Sequence, residues 1–188
     1  MILRQMRMLM GKAAVPASVG GTWNPADNVG FNLSGGNLTA TTPTTGNSGL
    51  RSTTTRNSGK PYYEFTNNDY AYTMIGIATS AAVLANGYNQ TNVANLYTKG
   101  GAYINGVTNP TPVSGTWGDH RAVGQIIGIG IDIAGGTLSG YDSGGLQVVY
   151  SIGFSGPYFI WLAGTNDVGD GGTLIVSGPT PPVGYSLW

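Results

Sequence analysis

Between Gly124 and Ile133 the chain alternates isoleucine with glycine. Ile127, Ile129, Ile131 and Ile133 fall at every second position, with Gly128, Gly130 and Asp132 between them. A period of two puts the four isoleucines on one face of a strand and leaves the other face nearly bare. The β-branched face must be buried, and the bare face lets a bulky neighbour or another layer approach closely. Ala134-Gly135-Gly136 then turns the chain into Thr137–Tyr141, and Asp142–Gly145 turns it into Leu146–Tyr150. This pattern predicts a β-meander with glycine-rich hairpin turns.

The same rhythm holds from Trp23 onward. Residues 37–42, 49–55, 60–66 and 72–79 are rich in Thr, Tyr, Val and Ile and are bounded by Gly, Asn, Ser and Pro. Within 60–66, alternation places Tyr63 and Phe65 on one face and Tyr62 and Glu64 on the other. Residues 158–163, 173–176 and 183–188 supply the last predicted strands. No helical period and no internal repeat is visible beyond residue 20. Short strands at this spacing predict a sandwich or barrel.

Residues 1–20 differ from the rest. They hold four of the five methionines, three basic residues and no acid. On a helical wheel Ile2, Leu3, Met6, Leu9 and Met10 fall within an arc of roughly 120°, with Arg4, Arg7, Met8 and Lys12 outside it. Gly11, Pro16 and Gly20-Gly21 break the pattern. The expectation is a short amphipathic helix or extended arm over 1–20, joined to a sandwich over 21–188. An unstructured start is the alternative reading. Such a short helix is marginal alone in water, so the arm needs a partner surface. Ile2, Leu3, Arg4, Met6, Arg7 and Leu9 are its candidate anchoring residues.

Composition narrows the chemistry. The chain has 32 glycines, no cysteine and one histidine in 188 residues, with charged residues at 9% and no net charge. Disulfides, thiolate metal sites and thiol nucleophiles are excluded, and His120 alone cannot build a multi-histidine metal centre. The balanced charge argues against a nucleic-acid partner. No apolar run reaches the roughly 20 residues of a membrane-spanning helix. Arg4, Gln5 and Arg7 interrupt the apolar start, which makes it a poor signal peptide. Neither a metal nor a cofactor is expected.

Several segments in order resemble the SPRY family, a concanavalin A-like β-sandwich of jelly-roll type. They are Ser58-Gly-Lys-Pro-Tyr-Tyr-Glu-Phe65, Ile75-Gly-Ile-Ala-Thr-Ser80, Ile127-Gly-Ile-Gly-Ile-Asp132, Gly136-Thr-Leu-Ser-Gly-Tyr141 and Gly156-Pro-Tyr158. The ending Pro181-Pro-Val-Gly-Tyr-Ser-Leu-Trp188 is similar to SPRY-like domains of bacteriophage virion proteins, as is Trp23-Asn-Pro25 followed by Leu38-Thr-Ala40. Two departures stand out. Gly140 occupies a position that is usually aromatic in the family, and the family's tryptophan-containing segment before Ile75 is absent. The resemblance implies an antiparallel two-sheet β-sandwich with a short N-terminal arm.

Candidate chemistry is sparse. Sandwich glycosidases need two carboxyl groups flanking the scissile bond. Glu64 is the only glutamate, and no second acid shares its strand within four residues. Asp119-His120-Arg121 is the densest reactive cluster, but no Gly-x-Ser-x-Gly elbow accompanies it. Asp167–Gly172 reads as a calcium-loop fragment or as a tight turn; it lacks the carboxylate spacing of an EF-hand. Gly100–Gly106 leads no helix, so it cannot cradle phosphate. No catalytic residue is assigned.

The stretch from Thr79 to Gly124 reads as long, polar and aromatic-rich. Its Tyr88, Tyr97, Tyr103, Asn105, Trp117, His120 and Arg121 are the candidate ligand-binding residues, since tyrosine and tryptophan join apolar area to a polar tip. The alternative is that these aromatics close the open end of the sandwich. The expectation is therefore a non-enzymatic phage-type virion surface protein, a head decoration or tail-fibre accessory. It docks by its arm on other virion proteins, with homo-oligomerisation, and displays the sandwich to a host surface protein or glycan. The alternatives are a receptor-binding lectin and, last, a glycan-cleaving enzyme.

Overall fold

The computed structural model describes residues 21–68, 72–165 and 167–188; the arm lies outside the described residues. Sixteen strands follow in chain order. The first eight are β1 Trp23–Val29, β2 Asn32–Ser34, β3 Thr39–Thr41, β4 Asn47–Arg56, β5 Pro61–Asn67, β6 Met74–Ala78, β7 Val93–Tyr97 and β8 Ala102–Ile104. The others are β9 Val107–Thr108, β10 Ser114–Gly115, β11 Ile126–Asp132, β12 Thr137–Asp142, β13 Gly145–Ser151, β14 Tyr158–Thr165, β15 Gly171–Ile175 and β16 Ser186–Leu187.

Two sheets form the sandwich. The first runs β1-β4-β14-β6-β7-β8-β9; the second runs β10-β13-β12-β11-β5-β15-β3-β2, with β16 also on β5. Every pairing is antiparallel except β16 on β5. The predicted meander is β11-β12-β13, with Gly128 opposite Tyr141 and Leu138 opposite Tyr150.

The core lies between the sheets. Ile127, Ile129 and Ile131 are fully buried there, and Ile133 packs against them from a partly buried position. Tyr63 and Phe65 flank them from the adjacent β5, and Leu50, Ile75, Ile77, Leu96, Ile160 and Leu162 face them from the first sheet. The Tyr63 hydroxyl donates to the Gly76 carbonyl at 2.6 Å, which ties the layers together at a buried point. Trp188 closes the core with its ring edge-on to Tyr63 at 5.7 Å.

The polar, aromatic-rich stretch 79–124, for which the sequence predicts no strand, contains four. In β7 the fully buried Asn95 interrupts the apolar pattern; its amide donates to the Tyr88 carbonyl at 3.2 Å. The hairpin from β8 to β9 turns on Asn105 and Gly106, whose φ values of 50° and 81° match the primed turn that Asn-Gly favours. β1 also escapes periodicity: it is an edge strand that contains Pro25 and shifts register between Trp23 and Asn28. The predicted strand 183–188 is shorter, pairing only over Ser186–Leu187.

Two neighbouring residues report the register. Ile129→Asp places an unpaired charge in a fully buried site and should cost several kcal/mol or prevent folding. Ile126→Asp, at a side chain 48% exposed, should shift stability by about 0.5 kcal/mol or less. Denaturant unfolding of the two variants checks this; equal losses would contradict the register.

Candidate functional site

Both sheets turn tyrosines outward, on opposite sides of the molecule. On the first sheet Val93, Asn95 and Tyr97 of β7 alternate with the core residues Ala94 and Leu96. The outer face is apolar, built from Met74, Ala78, Val93, Trp161 and Ala163. Residues 79–90 cover part of it, laying Ala82, Leu84 and Tyr88 across the strands. Arg51 holds this cover down: its guanidinium donates to the carbonyls of Ala82 at 2.8 Å and Thr79 at 3.4 Å. Asp27 lies 3.2 Å from its Nε, close enough for an ion pair but not aligned as a hydrogen bond. Gln90 clips the cover to itself through Val83 and Gly87.

Beside the cover runs a strip of half-buried rings. Tyr88 meets Tyr103 at 4.7 Å, Tyr103 meets Tyr97 at 6.2 Å and Tyr97 meets Tyr72 at 6.1 Å. Lys99 and Arg121 sit over the Tyr72 ring at 5.2 and 5.3 Å, within cation–π range. Burial, with Tyr103 and Tyr72 nearby, pushes the Tyr97 hydroxyl up to about 12. Burial and the neighbouring Tyr88 raise Tyr103.

The structure therefore brings Tyr88, Tyr97 and Tyr103 together and adds Tyr72 and Lys99, which the sequence reading did not single out. It places Asn105 in the hairpin turn, where its carbonyl accepts the Asn92 N–H at 3.0 Å and its amide reaches the Gly153 carbonyl at 3.4 Å. Trp117 and His120 do not reach the surface: each is 4% exposed. Their rings stack at 3.8 Å, the indole N–H donates to the Tyr97 carbonyl at 2.9 Å, and Trp117 joins the main core. Trp117 also explains Gly140. A side chain there would strike Trp117 Cζ3 at 2.7 Å, so the loop supplies the aromatic bulk that the strand lacks. Arg121 is anchored to Asp119 at 2.6 Å, and that hydrogen bond draws the Asp119 carboxyl down to about 2.

The outer face of the second sheet was not read as a site. The bare face of β11 is filled by rings: a side chain on Gly128 would collide with the Tyr62 hydroxyl, and one on Gly130 would meet Tyr185 at 2.7 Å and Tyr141 at 3.1 Å. Tyr62, Tyr141 and Tyr185 pack edge to face at 5.6, 6.4 and 6.1 Å. Burial raises Tyr62 and Tyr141 above the ordinary tyrosine range.

Beside these rings opens a two-lobed groove of about 430 and 600 Å³, both lobes touching Tyr62, Glu64, Asp142 and Ser143. The Tyr62 hydroxyl donates to Glu64 at 2.9 Å. Asp142 accepts from the Gly144 N–H at 2.7 Å and the Gln147 amide at 2.9 Å, and faces His120 Nε2 at 3.3 Å. The second acid near Glu64 thus comes from two strands away, through Gly128 paired with both Glu64 and Tyr141. Spacing along a single strand could not reveal it.

Asp167–Gly172 forms a turn into β15. Its Asp170 is fully buried and accepts the Tyr72 N–H at 2.8 Å. Among the described residues no group of three His, Asp or Glu side chains converges as a metal site, and no helix is long and apolar enough to cross a membrane.

No family model and no curated relative matches the chain by sequence. Solved structures do match. The SPRY domain of human HERC1 aligns with a TM-score of 0.68 at 13% identity, covering 84% of this chain and 99% of that one. The TRIM65 PSpry domain aligns at 0.62 and 15%, covering 85% and 90%. Stonustoxin aligns at 0.62 and 15%, covering 82% of this chain and 28% of its own. The fold is thus a SPRY-like β-sandwich, as the ordered sequence motifs imply.

The raised tyrosines predict alkaline instability. A hydroxyl whose folded value exceeds the unfolded value of about 10 binds its proton more tightly when folded. Its contribution is complete below pH about 10 and is lost as pH rises toward the Tyr97 value of about 12. Thermal melts followed through this window should show a falling midpoint, less steep in Tyr97→Phe. A midpoint that stays level through the window would contradict the buried placement of these rings.

Proposed function

We propose that the chain is a non-enzymatic display protein of a virion surface, a SPRY-like sandwich that offers a tyrosine surface to a partner and is tethered by its N-terminal residues. The observation that carries the binding part is the strip Tyr72–Tyr97–Tyr103–Tyr88, a continuous run of half-buried rings whose Tyr88 end is bonded by Asn95 and lies in the segment that Arg51 and Gln90 fasten. Preorganised aromatic area of this kind binds at low entropic cost. The virion role is supported by the phage-type motifs at both ends of the sandwich sequence, and the tether by the apolar and basic pattern of residues 1–12.

A host-surface glycan is the second ligand class for the strip. It is favoured by the ring pair Tyr88–Tyr103 together with Thr108, which is paired with Tyr103 across the hairpin and accepts from the Asn89 amide at 3.5 Å, a mixed surface suited to a sugar's apolar face and hydroxyls.

Two measurements test the reading. Tyr88→Ala combined with Tyr103→Ala should weaken partner or glycan binding by roughly tenfold or more, read on folded protein below the variant's own melting temperature by glycan array and by capture from host surface extract. Unaltered binding would move the contact off the strip. The wild type should show no glycan-hydrolysing turnover; turnover that Glu64→Gln or His120→Ala abolishes at equal stability would make the protein an enzyme.

A further inference from the structure

The neutral net charge conceals a division. Residues 1–20 carry Arg4, Arg7 and Lys12 and no acid, an excess of three positive charges. Residues 21–188 carry five basic against eight acidic residues, an excess of three negative charges. Much of that acidity is locally paired: Asp27 with Arg51 at 3.2 Å, Asp119 with Arg121 at 2.6 Å and Asp132 with Lys60 at 2.8 Å. Glu64 and Asp142 have no lysine or arginine in ion-pair reach among the described residues, although Asp142 faces His120 Nε2 at 3.3 Å, and both open into the groove on the second sheet.

The rest of the groove mixes apolar and aromatic walls with the polar Gln125, Ser143 and Thr180. Tyr62 and Tyr141 form its floor and wall, Pro182 lines one lobe, and Ile126 and Leu146 stand at the rim 48% and 54% exposed. It therefore calls for an occupant that interleaves apolar side chains with cations. Residues 2–9, Ile-Leu-Arg-Gln-Met-Arg-Met-Leu, have that composition, and methionine adapts to an irregular channel. Arginine adds stacking on tyrosine to its pairing with carboxylate. The described chain begins beside β4, where Thr22 bonds Thr53 and Trp23 bonds Asn37. Residues 13–20, fully extended, span roughly 26–29 Å, enough to cross to a neighbouring molecule.

We propose that the groove is the receptor for the N-terminal arm of a second copy, so that the partner anchoring the arm is the chain itself. This rests on the reading that residues 1–12 are the anchor, since an arm folded onto its own sheet would tether the chain to nothing. Each copy donates one arm and accepts one: a two-fold arrangement gives a reciprocal pair, and a head-to-tail arrangement gives a ring where the rotation closes.

Sedimentation velocity on the full chain over a concentration series tests it. The wild type should self-associate, more weakly as salt rises. Glu64→Gln with Asp142→Asn, and separately Arg4→Glu with Arg7→Glu, should each raise the dissociation constant roughly tenfold at unchanged melting temperature. Combining Arg4→Glu and Arg7→Glu with Glu64→Lys and Asp142→Lys should recover association, which a merely structural role for the carboxylates would not do.

A wild type that stays monomeric at all concentrations overturns the proposal, as does failure of the charge swap to restore association in folded protein. Deletion of residues 1–12 separates the two readings. If the deletion abolishes assembly and the groove variants assemble normally, the arm anchors elsewhere and only this inference falls. If the deletion leaves assembly intact, the anchoring role falls with it.

Discussion

The structure depends on the alternation of isoleucine and glycine in β11. On one side three isoleucines vanish into the core; on the other, Gly128 and Gly130 leave room that the rings of Tyr62, Tyr141 and Tyr185 fill. Because the strand sits between β5 and β12, this one pattern fixes both the packing of the second sheet and the seating of Tyr62, Tyr141 and Tyr185. Burying each isoleucine contributes about 1.5–3 kcal/mol. Adding a Cβ on the other face would displace an aromatic cluster rather than merely crowd it.

The first sheet solves the same problem differently. Its outer face is also apolar, but a folded-over segment covers it, fastened by buried Arg51 and by Gln90. Where that cover ends, the tyrosine strip begins. Each sheet therefore carries a core on one side and a partly covered aromatic surface on the other. This suits a chain with few charges, because tyrosine offers apolar area and a solvated hydroxyl together. Among the reactive groups, Glu64 and Asp142 meet in the groove of the second sheet. His120 is stacked beneath Trp117, and Asp170 accepts a backbone N–H in the interior.

Much of the fold was legible because β5 and β11, at the centre of the second sheet, have clean alternation. Tyr63 and Phe65 point inward and Tyr62 and Glu64 outward as a period of two requires, and the meander follows its glycine turns. The short strands were not legible. Three residues of β8 hold no period, and Asn95 breaks the one in β7 by satisfying the Tyr88 backbone from a buried position. Of the candidate site, Tyr88, Tyr97 and Tyr103 were found by composition, and the structure shows them ring to ring. Trp117 was misread because a tryptophan among glycines resembles a surface aromatic; only Gly140 on a distant strand reveals the space it fills. The groove was invisible for a related reason. Glu64 and Asp142 are 78 positions apart and meet only through the register of β5, β11 and β12.

The central claim is that the two outward tyrosine surfaces are where this molecule meets others. Hydroxyl-radical footprinting of the intact chain, alone and in its assembly, tests that claim residue by residue. The account predicts that modification of Tyr141 and Tyr185, and of Tyr88 and Tyr103, falls on assembly or ligand binding, while the buried Tyr63 stays silent in both states. Unchanged labelling of all four, with protection appearing instead at exposed sites such as Val113 or Val123, would contradict it.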